Sequence, residues 1–166
     1  MELSAESVIE TLKLSPLPFE GGYFRQTYRS NGELFPEEAK GVSHVFSTAI
    51  YYLVTPDSFS ALHRVWQDEV FHFYLGDAVQ MWQLDETGES RSVVLGPKLL
   101  SGQVPQAVVP GGVWQGMRLL PQGKWALLGA TVAPGYEPSD FELASQVKLL
   151  QQFPHHRESI LNFTRS

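Results

Sequence analysis

The sequence predicts an all-β protein, arranged as a sandwich or a barrel. About eight or nine short runs rich in β-branched and aromatic residues occupy the middle of the chain, separated by Gly- and Pro-containing turns. Helical periodicity is confined to the two ends, so no helices alternate with the strands. Many short strands without intervening helices favour a sandwich or barrel over a βαβ fold.

The first part of the chain contains a helix, a turn and two strands. We expect a short helix over 4–14, with Ser4 as its N-cap and apolar side chains at helical spacing. The prolines and paired glycines of SPLPFEGGYF (15–24) break this helix and lead into the strand YFRQTYRS. A polar loop over 31–41 then precedes the strand HVFSTAIYYLV (44–54).

Short strands make up the rest of the predicted barrel. FSALHRVW, EVFHFYLG and DAVQMWQLD come first, and DETGES is a hairpin turn before the returning strand RSVVLG. QVPQAVVP, VWQGMRLL and WALLGATVAP follow, joined through PGG and PQGK. We therefore expect a barrel core over roughly 20–137.

A second helical segment follows the strands. Ser139 and Glu142 stand at capping-box spacing, and apolar residues recur behind them at helical intervals. These features predict an amphipathic helix over roughly 139–152. The length suits one domain, so we expect a single domain over 1–166.

Composition excludes several classes of function. The net charge is −6, and no basic stripe is present, which argues against a nucleic-acid partner. The longest mostly apolar run, 45–54, is about half a membrane span, so we expect no membrane partner. The chain has no cysteine, which excludes disulfides and thiolate chemistry. With no secretory pattern at the N-terminus, the expected location is cytoplasmic.

The stretch LHRVWQDEVFHFYLG (62–76) carries the main candidates for chemistry. Alternation along two strands places His63 and Glu69 on one face, among phenylalanines, with His72 opposite unless a bulge shifts the register. A carboxylate in apolar surroundings is costly unless it is paired, and His63 is the nearest partner. Burial would also raise the pKa of this glutamate toward the range useful for acid–base catalysis. We therefore predict His63 and Glu69 as catalytic residues. The alternatives are a structural hydrogen bond for His63 and a buried salt bridge for Glu69.

The spacing of these residues resembles the first motif of the cupin superfamily. His63-x-Val65-x3-Glu69-x6-Gly76 follows that motif, in which two histidines separated by one residue precede a glutamate and a glycine. Val65 stands where the second histidine is expected. The order and spacing thus match, with one ligand position lost.

A downstream segment resembles the second cupin motif. Pro110-x-Gly112-x2-Gln115 follows it, with Gln115 at the position of a histidine and Leu119 at that of an asparagine. Two motifs in the right order imply the cupin fold, a double-stranded β-helix or jelly roll, here with short helices at both ends.

Further segments resemble one small uncharacterised branch of the cupins. They are PFEGGYFR (18–25), STAIY (47–51), VVPGGVWQG (108–116) and APGY (133–136). The resemblance spans roughly residues 12–145. This branch is related in fold to sugar-nucleotide epimerases, which use a His–Asp dyad and a tyrosine.

The resemblance also implies a metal site in altered form. A typical cupin binds Fe, Mn, Ni or Zn through three histidines and a glutamate. Transferred to this sequence, the family's metal ligands correspond to His63, Glu69 and Gln115, whereas Val65 cannot bind a metal. One imidazole, one carboxylate and one amide form a weak metal site. The sequence is therefore compatible both with a bound divalent ion and with no cofactor.

The predicted function is binding of a small molecule in the barrel, with Gln115, His72, Tyr51 and Tyr136 as ligand-binding candidates. For each of these four the alternative is packing or a structural hydrogen bond. The reaction considered is isomerisation or epimerisation of a sugar-like or carbonyl compound. A metal-dependent oxygenase or lyase and a non-catalytic binding or storage protein are the alternatives. We expect a homodimer, because two-fold dimers are the commonest assembly and sheet edges need cover.

Overall fold

The computed structural model describes residues 3–165, which form eleven strands and three α-helices. The helices are α1 (Ala5–Leu12), α2 (Gln146–Gln152) and α3 (Arg157–Phe163). The strands are β1 (Ser15–Pro16), β2 (Tyr23–Arg29), β3 (Thr48–Val54), β4 (Ser60–Arg64), β5 (Asp68–Gly76), β6 (Val79–Leu84), β7 (Ser90–Leu95), β8 (Gln106–Val109), β9 (Trp114–Leu119), β10 (Ala126–Ala133) and β11 (Glu142–Leu143). None of the helices in residues 3–165 has the length and apolar character needed to span a lipid bilayer.

The strands form two antiparallel sheets that face each other. The larger sheet has the order β1-β2-β3-β10-β5-β8, and the smaller one has the order β11-β4-β9-β6-β7. Strands that are distant in sequence therefore pair within each sheet, as in a jelly roll. The predicted all-β cupin jelly roll with short terminal helices is confirmed.

Apolar side chains fill the space between the sheets and cover their outer faces. The inner cluster joins both sheets through Tyr52, Phe71, Met81, Met117 and Leu128. Helix α1 covers the outer face of the larger sheet, and α2 with α3 covers that of the smaller sheet. The terminal helices thus bury surfaces that the barrel alone would expose to water.

The N-terminal helix follows the sequence prediction closely. The hydroxyl of Ser4 accepts a hydrogen bond of 3.2 Å from the N–H of Ser7, which begins α1 as a capped helix. The predicted hairpin at DETGES is also present, because β6 and β7 pair directly on either side of it.

The predicted helix over 139–152 is wrong in its first part. Ser139 does not cap a helix; α2 begins only after Ser145, whose side chain accepts from a backbone N–H. The intervening segment forms β11, which pairs with β4, and Glu142 makes a 2.7 Å ion pair with Arg64. Strand pairing with the barrel outcompetes the local capping signal, a tertiary effect that the sequence pattern does not contain.

Candidate functional site

His63 lies on the inner face of β4 and is held in one tautomer. Its side chain is 3% exposed, and Nδ1 lies 2.8 Å from the carbonyl oxygen of Ala61, which can only accept. Nδ1 therefore carries the proton, and Nε2 is the acceptor in the neutral ring. Nε2 lies 2.8 Å from the amide nitrogen of Gln115, which donates to it.

Glu69 lies on the inner face of β5 and is buried, with 8% of its surface exposed. Its pKa is raised to about 7, chiefly by burial and also by the charge of Glu20, whereas His63 and the amide of Gln115 act to lower it. Oε2 of Glu69 accepts a 2.8 Å hydrogen bond from Gln115. Both the imidazole and the carboxylic acid therefore face inward as expected, and the carboxyl group is suited to proton transfer near neutral pH. The expected direct pairing of His63 with Glu69 is not found among the described residues, because the amide of Gln115 bridges the two side chains.

Gln115 lies behind this pair instead of lining the cavity. It is fully buried on β9, opposite His63 in the strand register, and its one amide nitrogen donates to both His63 and Glu69. Its Oε1 is buried without a hydrogen-bond partner among the described residues. The expectation that Gln115 contacts a ligand directly is corrected, because its side chain positions the two groups that do face the cavity.

Glu20 joins the site from the turn between β1 and β2. Its Oε1 accepts a 3.1 Å hydrogen bond from the hydroxyl of Ser60, and its Oε2 lies 3.8 Å from Nε2 of His63. This turn, made by Glu20, Gly21 and Gly22, is here called the EGG turn. The local sequence contains no signal for the contact between Glu20 and Ser60. The two side chains meet because the EGG turn packs beside β4, the strand that begins with Ser60.

The EGG turn is held against the cavity wall by Tyr52. Its phenol donates a 2.8 Å hydrogen bond to the carbonyl of Gly21, and a Cβ on Gly22 would lie 2.8 Å from the Tyr52 ring. Gly22 also has a φ of +75°, which glycine adopts without strain. The paired glycines therefore let the turn approach the barrel closely enough for Glu20 to reach inside.

A cavity of about 700 Å³ opens in front of His63 and Glu69. Its walls are mainly apolar, from Leu17, Phe24, Ile50, Tyr52, Phe71 and Val132. Tyr136 lines it as predicted, and burial raises the pKa of its phenol to about 12, so the hydroxyl stays protonated. An apolar cavity with a few converging polar groups is the usual form of a small-molecule site.

The mouth of the cavity is bordered by residues 136–143, here called the strap. The ring of Phe141 stacks on that of His63, with centroids 5.3 Å apart. Glu137 in the strap pairs with Arg29 from β2. The strap thus covers part of the entrance and contacts the buried imidazole directly.

Asp140 anchors the strap to the barrel. Its carboxylate accepts from Trp66 at 2.9 Å, Gln67 at 2.7 Å, His44 at 3.0 Å and the N–H of Glu137 at 2.8 Å. Burial acts to raise the pKa of Asp140, but these hydrogen bonds outweigh it and lower the pKa. Sequence analysis missed this cluster, because its members come from three separate segments and follow no motif.

Two predicted ligand residues lie away from the cavity. His72 is on the outer face of β5, where it contacts Gln106 and Thr131. Tyr51 is on the outer face of β3 and lines a separate groove of about 450 Å³ beside α1. Along β5 the alternation that turns Glu69 inward turns His72 outward, and along β3 Tyr51 faces outward in the same way. Their predicted role in the barrel site is therefore wrong.

Arg25 on β2 also points outward. Its guanidinium lies 5.5 Å from the centroid of the Tyr51 ring. Arg29, four residues later on the same strand, takes the place at the mouth, because β2 has an irregular register between Gln26 and Tyr28.

The residues present do not fit the metal site that the family resemblance implies. The amide nitrogen of Gln115 is hydrogen-bonded to both His63 and Glu69, between the two groups that would bind the ion, and nitrogen of an amide is not a metal donor. Val65 adds an apolar side chain to the cavity wall. Within residues 3–165, no group of three or more His, Asp or Glu side chains is placed to hold a metal ion.

Comparison with known proteins relates the chain to one family. The family model described as Cupin superfamily (DUF985) matches residues 6–144. The uncharacterised protein YML079W of Saccharomyces cerevisiae is 32% identical over 132 residues. That match covers 73% of this chain and 66% of the yeast protein, so the chain spans just under two thirds of this relative's length.

Solved structures are similar over nearly the whole chain. A hypothetical protein from Leishmania major has a TM-score of 0.92 and 31% identity, covering 99% of this chain and 100% of that one. Protein SO0799 from Shewanella oneidensis has a TM-score of 0.89 and 31% identity, covering 99% of both chains. Oxalate decarboxylase from Bacillus subtilis shares the fold alone, with a TM-score of 0.55 and 15% identity over 92% of this chain and 37% of that one.

Proposed function

We propose a function for this chain from the premise that it belongs to the cupin superfamily, in the family described as DUF985. The proposed function is binding of a small molecule inside the barrel, with His63, Glu69 and Glu20 as the polar end of the site. The observation that carries this proposal is the apolar cavity of about 700 Å³ with these three side chains along its lining. A volume of this size suits a compact metabolite.

The burial of Glu69 supports a binding role over a purely structural one. A carboxyl group whose pKa is raised to about 7 by burial costs stability at neutral pH, and it makes one hydrogen bond within the described chain. A structural core position would be filled more favourably by an apolar residue or a neutral amide. A buried acid at such a position is the pattern expected of a functional site.

A second candidate function is isomerisation or epimerisation of a carbonyl or sugar-like compound. Near neutral pH Glu69 is present in both protonation states, which suits a general acid. Nε2 of His63 would remove a proton from the carbon next to a carbonyl, and protonated Glu69 would return its proton to the resulting enolate. The imidazolium and the carboxylate then regain their starting states when one proton passes between them through solvent.

Gln115 sets a condition on this chemistry. The lone pair of Nε2 already accepts a hydrogen bond from its amide, so His63 becomes a base only after that bond is released. Glu69 needs no such change to act. A metal-dependent oxygenase or lyase, by contrast, has no support from the donor set, and non-catalytic binding remains the simpler form of the proposal.

Native mass spectrometry of the purified protein tests binding directly. We expect a retained small molecule, or a metabolite from a mixed library that binds in ligand-observed NMR and loses affinity in Glu69→Gln. Glu86→Gln, an exposed change in the hairpin turn, removes the same charge far from the cavity and serves as control. Absence of any retained or library ligand contradicts the proposal.

Incubation of the identified ligand with protein in D2O separates binding from catalysis. Isomerisation through an enolate incorporates solvent deuterium at the carbon that exchanges its proton. We expect Glu69→Gln and His63→Gln to abolish this incorporation while Glu86→Gln keeps it. Binding without incorporation identifies a non-catalytic binding protein.

We also propose a homodimer, on general grounds. Strands β7 and β8 end the two sheets, and unpaired sheet edges are usually covered in solution. Light scattering coupled to size-exclusion chromatography measures the mass directly. The cytoplasmic location and the absence of a nucleic-acid partner stay predictions from the sequence.

A further inference from the structure

The charges that line the cavity are unbalanced. Carboxylates of Glu20, Glu69 and Glu137 face it, against the guanidinium of Arg29 and the neutral imidazole of His63. Arg29 already pairs with Glu137 at the mouth. The deeper part of the cavity therefore carries two acidic groups, and no unpaired cation stands among the described residues that line it.

Arg165 is a further cation near this end, and it lies behind the EGG turn. It donates to the backbone carbonyl oxygens of Phe19 at 3.2 Å and Phe59 at 2.7 Å, and it does not line the cavity. Its guanidinium also lies over the ring of Phe59, 4.6 Å from the centroid. These contacts hold the turn that carries Glu20 and leave the deep end of the cavity without a cation for an anionic ligand.

At the deep end of the cavity, around Glu20, His63 and Glu69, the protein leaves acceptors free but uses its donors itself. Within residues 3–165 the donors there are used by the protein itself: Nδ1 of His63, the amide of Gln115 and the hydroxyls of Ser60 and Tyr52. Acceptors remain free, because Glu69 accepts at Oε2 only and Oε2 of Glu20 has only its 3.8 Å contact with His63. When Glu69 is ionised, the deep end therefore offers oxygen acceptors to a ligand and no spare donors.

From these observations we infer that the cavity binds a compact amphipathic cation, with an apolar body against the walls and a protonated amine directed at Glu20 and Glu69. The inference rests on the proposed binding function and names the chemical class of the ligand. Uncommitted donors along the cavity are the amide of Gln26, the phenol of Tyr136 and the hydroxyl of Thr48. Thr48 accepts from the N–H of Tyr136 and pairs with Arg29 in the sheet, so it too lies toward the mouth.

An anionic ligand is disfavoured for the same reasons. Moving a carboxylate or phosphate out of water is costly unless a cation or several donors replace its hydration. At the deep end it would meet two carboxylates and no free donor when Glu69 is ionised. The cavity should therefore discriminate between isosteric ligands by charge, against the anion.

Three isosteric probes test this by isothermal titration calorimetry at pH 7.5: 2-phenylethylamine, 2-phenylethanol and phenylacetate. All carry the same apolar ring and differ only in the polar end. We expect the amine to bind at least tenfold more tightly than phenylacetate, with the alcohol between them. Equal or tighter binding of phenylacetate, or no binding of the amine at millimolar concentration, overturns the inference.

Single substitutions locate the charge that is recognised. We expect Glu69→Gln and Glu20→Gln each to weaken amine binding about tenfold while changing binding of the alcohol less than threefold. Glu86→Gln in the hairpin turn removes the same charge outside the cavity and should leave both affinities unchanged. Circular dichroism of each variant checks that it is folded, and an amine affinity insensitive to both cavity variants contradicts the inference.

Failure of this inference is distinguishable from failure of the proposed function. If phenylacetate binds best and Glu69→Gln strengthens it, the cavity is a ligand site for anions, and only the inferred charge class is wrong. If no probe and no retained or library molecule binds, the proposed binding function is wrong as well.

Discussion

Gln115 donates a 2.8 Å hydrogen bond to Oε2 of Glu69 inside the barrel, where both side chains are buried. The bond favours the charged form of the acid, yet burial dominates and raises the pKa of Glu69 to about 7. The relationship therefore links the stability of the fold to the protonation of one candidate catalytic group. The substitutions Glu69→Gln and Gln115→Leu test this link.

Replacement of Glu69 by Gln should stabilise the protein at alkaline pH. The pKa of Glu69 is about 7 in the folded chain, against an ordinary value of 4.5, so the folded state holds an extra proton between these values. Wild-type stability then falls as pH rises through this window and levels off above it. The titratable groups that face Glu69 are His63 on β4, Glu20 in the EGG turn and Tyr136 in the strap.

Urea unfolding of both proteins at pH 5 and pH 8 measures this effect. We expect Glu69→Gln to gain on the order of 1–3 kcal/mol over wild type at pH 8 and little at pH 5. Glu86→Gln should follow wild type at both values. A parallel pH dependence in Glu69→Gln and wild type would show that this carboxyl titrates normally.

Replacement of Gln115 by Leu should raise the pKa of Glu69 above 7. The substitution removes the hydrogen bond that favours the carboxylate, whereas the burial that favours the neutral acid remains. Carboxyl ¹³C chemical shifts followed against pH report the value directly. Gln80→Leu, which removes an amide bonded to Ser92 instead, is the control and should leave the Glu69 titration in place.

Replacement of Asp140 by Asn should release the strap. The carboxylate accepts from four donors, and an amide turns one acceptor into a donor that faces another donor. We expect a loss of about 2–4 kcal/mol in the free energy of unfolding and faster amide hydrogen exchange in residues 136–143. Asp57→Asn, in an exposed turn, should change neither quantity.

Replacement of Gly22 by Ala should destabilise the protein by more than the strain of a positive φ alone. Gly22 and Gly112 both have positive φ, +75° and +81°, but only at Gly22 would a new Cβ meet a neighbour, the Tyr52 ring at 2.8 Å. We expect Gly112→Ala to cost about 1 kcal/mol and Gly22→Ala about 2–4 kcal/mol. Equal losses in chemical denaturation would mean that Tyr52 yields freely and does not hold the turn.

The local sequence was sufficient for most of the strands, the first helix and the inward face of the site. Alternation along β4 and β5 turns His63 and Glu69 to the same interior, because a strand has a period of two and the phenylalanines around Glu69 select its buried face. The capped start of α1 depends on Ser4 and Ser7, three residues apart. Such features need only neighbouring residues, so a single sequence contains them.

Tertiary structure alone decided which other groups meet this pair. Ser60 reaches Glu20 across 40 residues, and Asp140 reaches Gln67 across 73, by contacts that no local pattern encodes. The same long-range pairing replaced the predicted helix start with β11 and put Gln115 behind the site. Local propensities differ by about 1 kcal/mol or less, so pairing with an existing strand and satisfaction of buried polar groups outweigh them once the barrel closes.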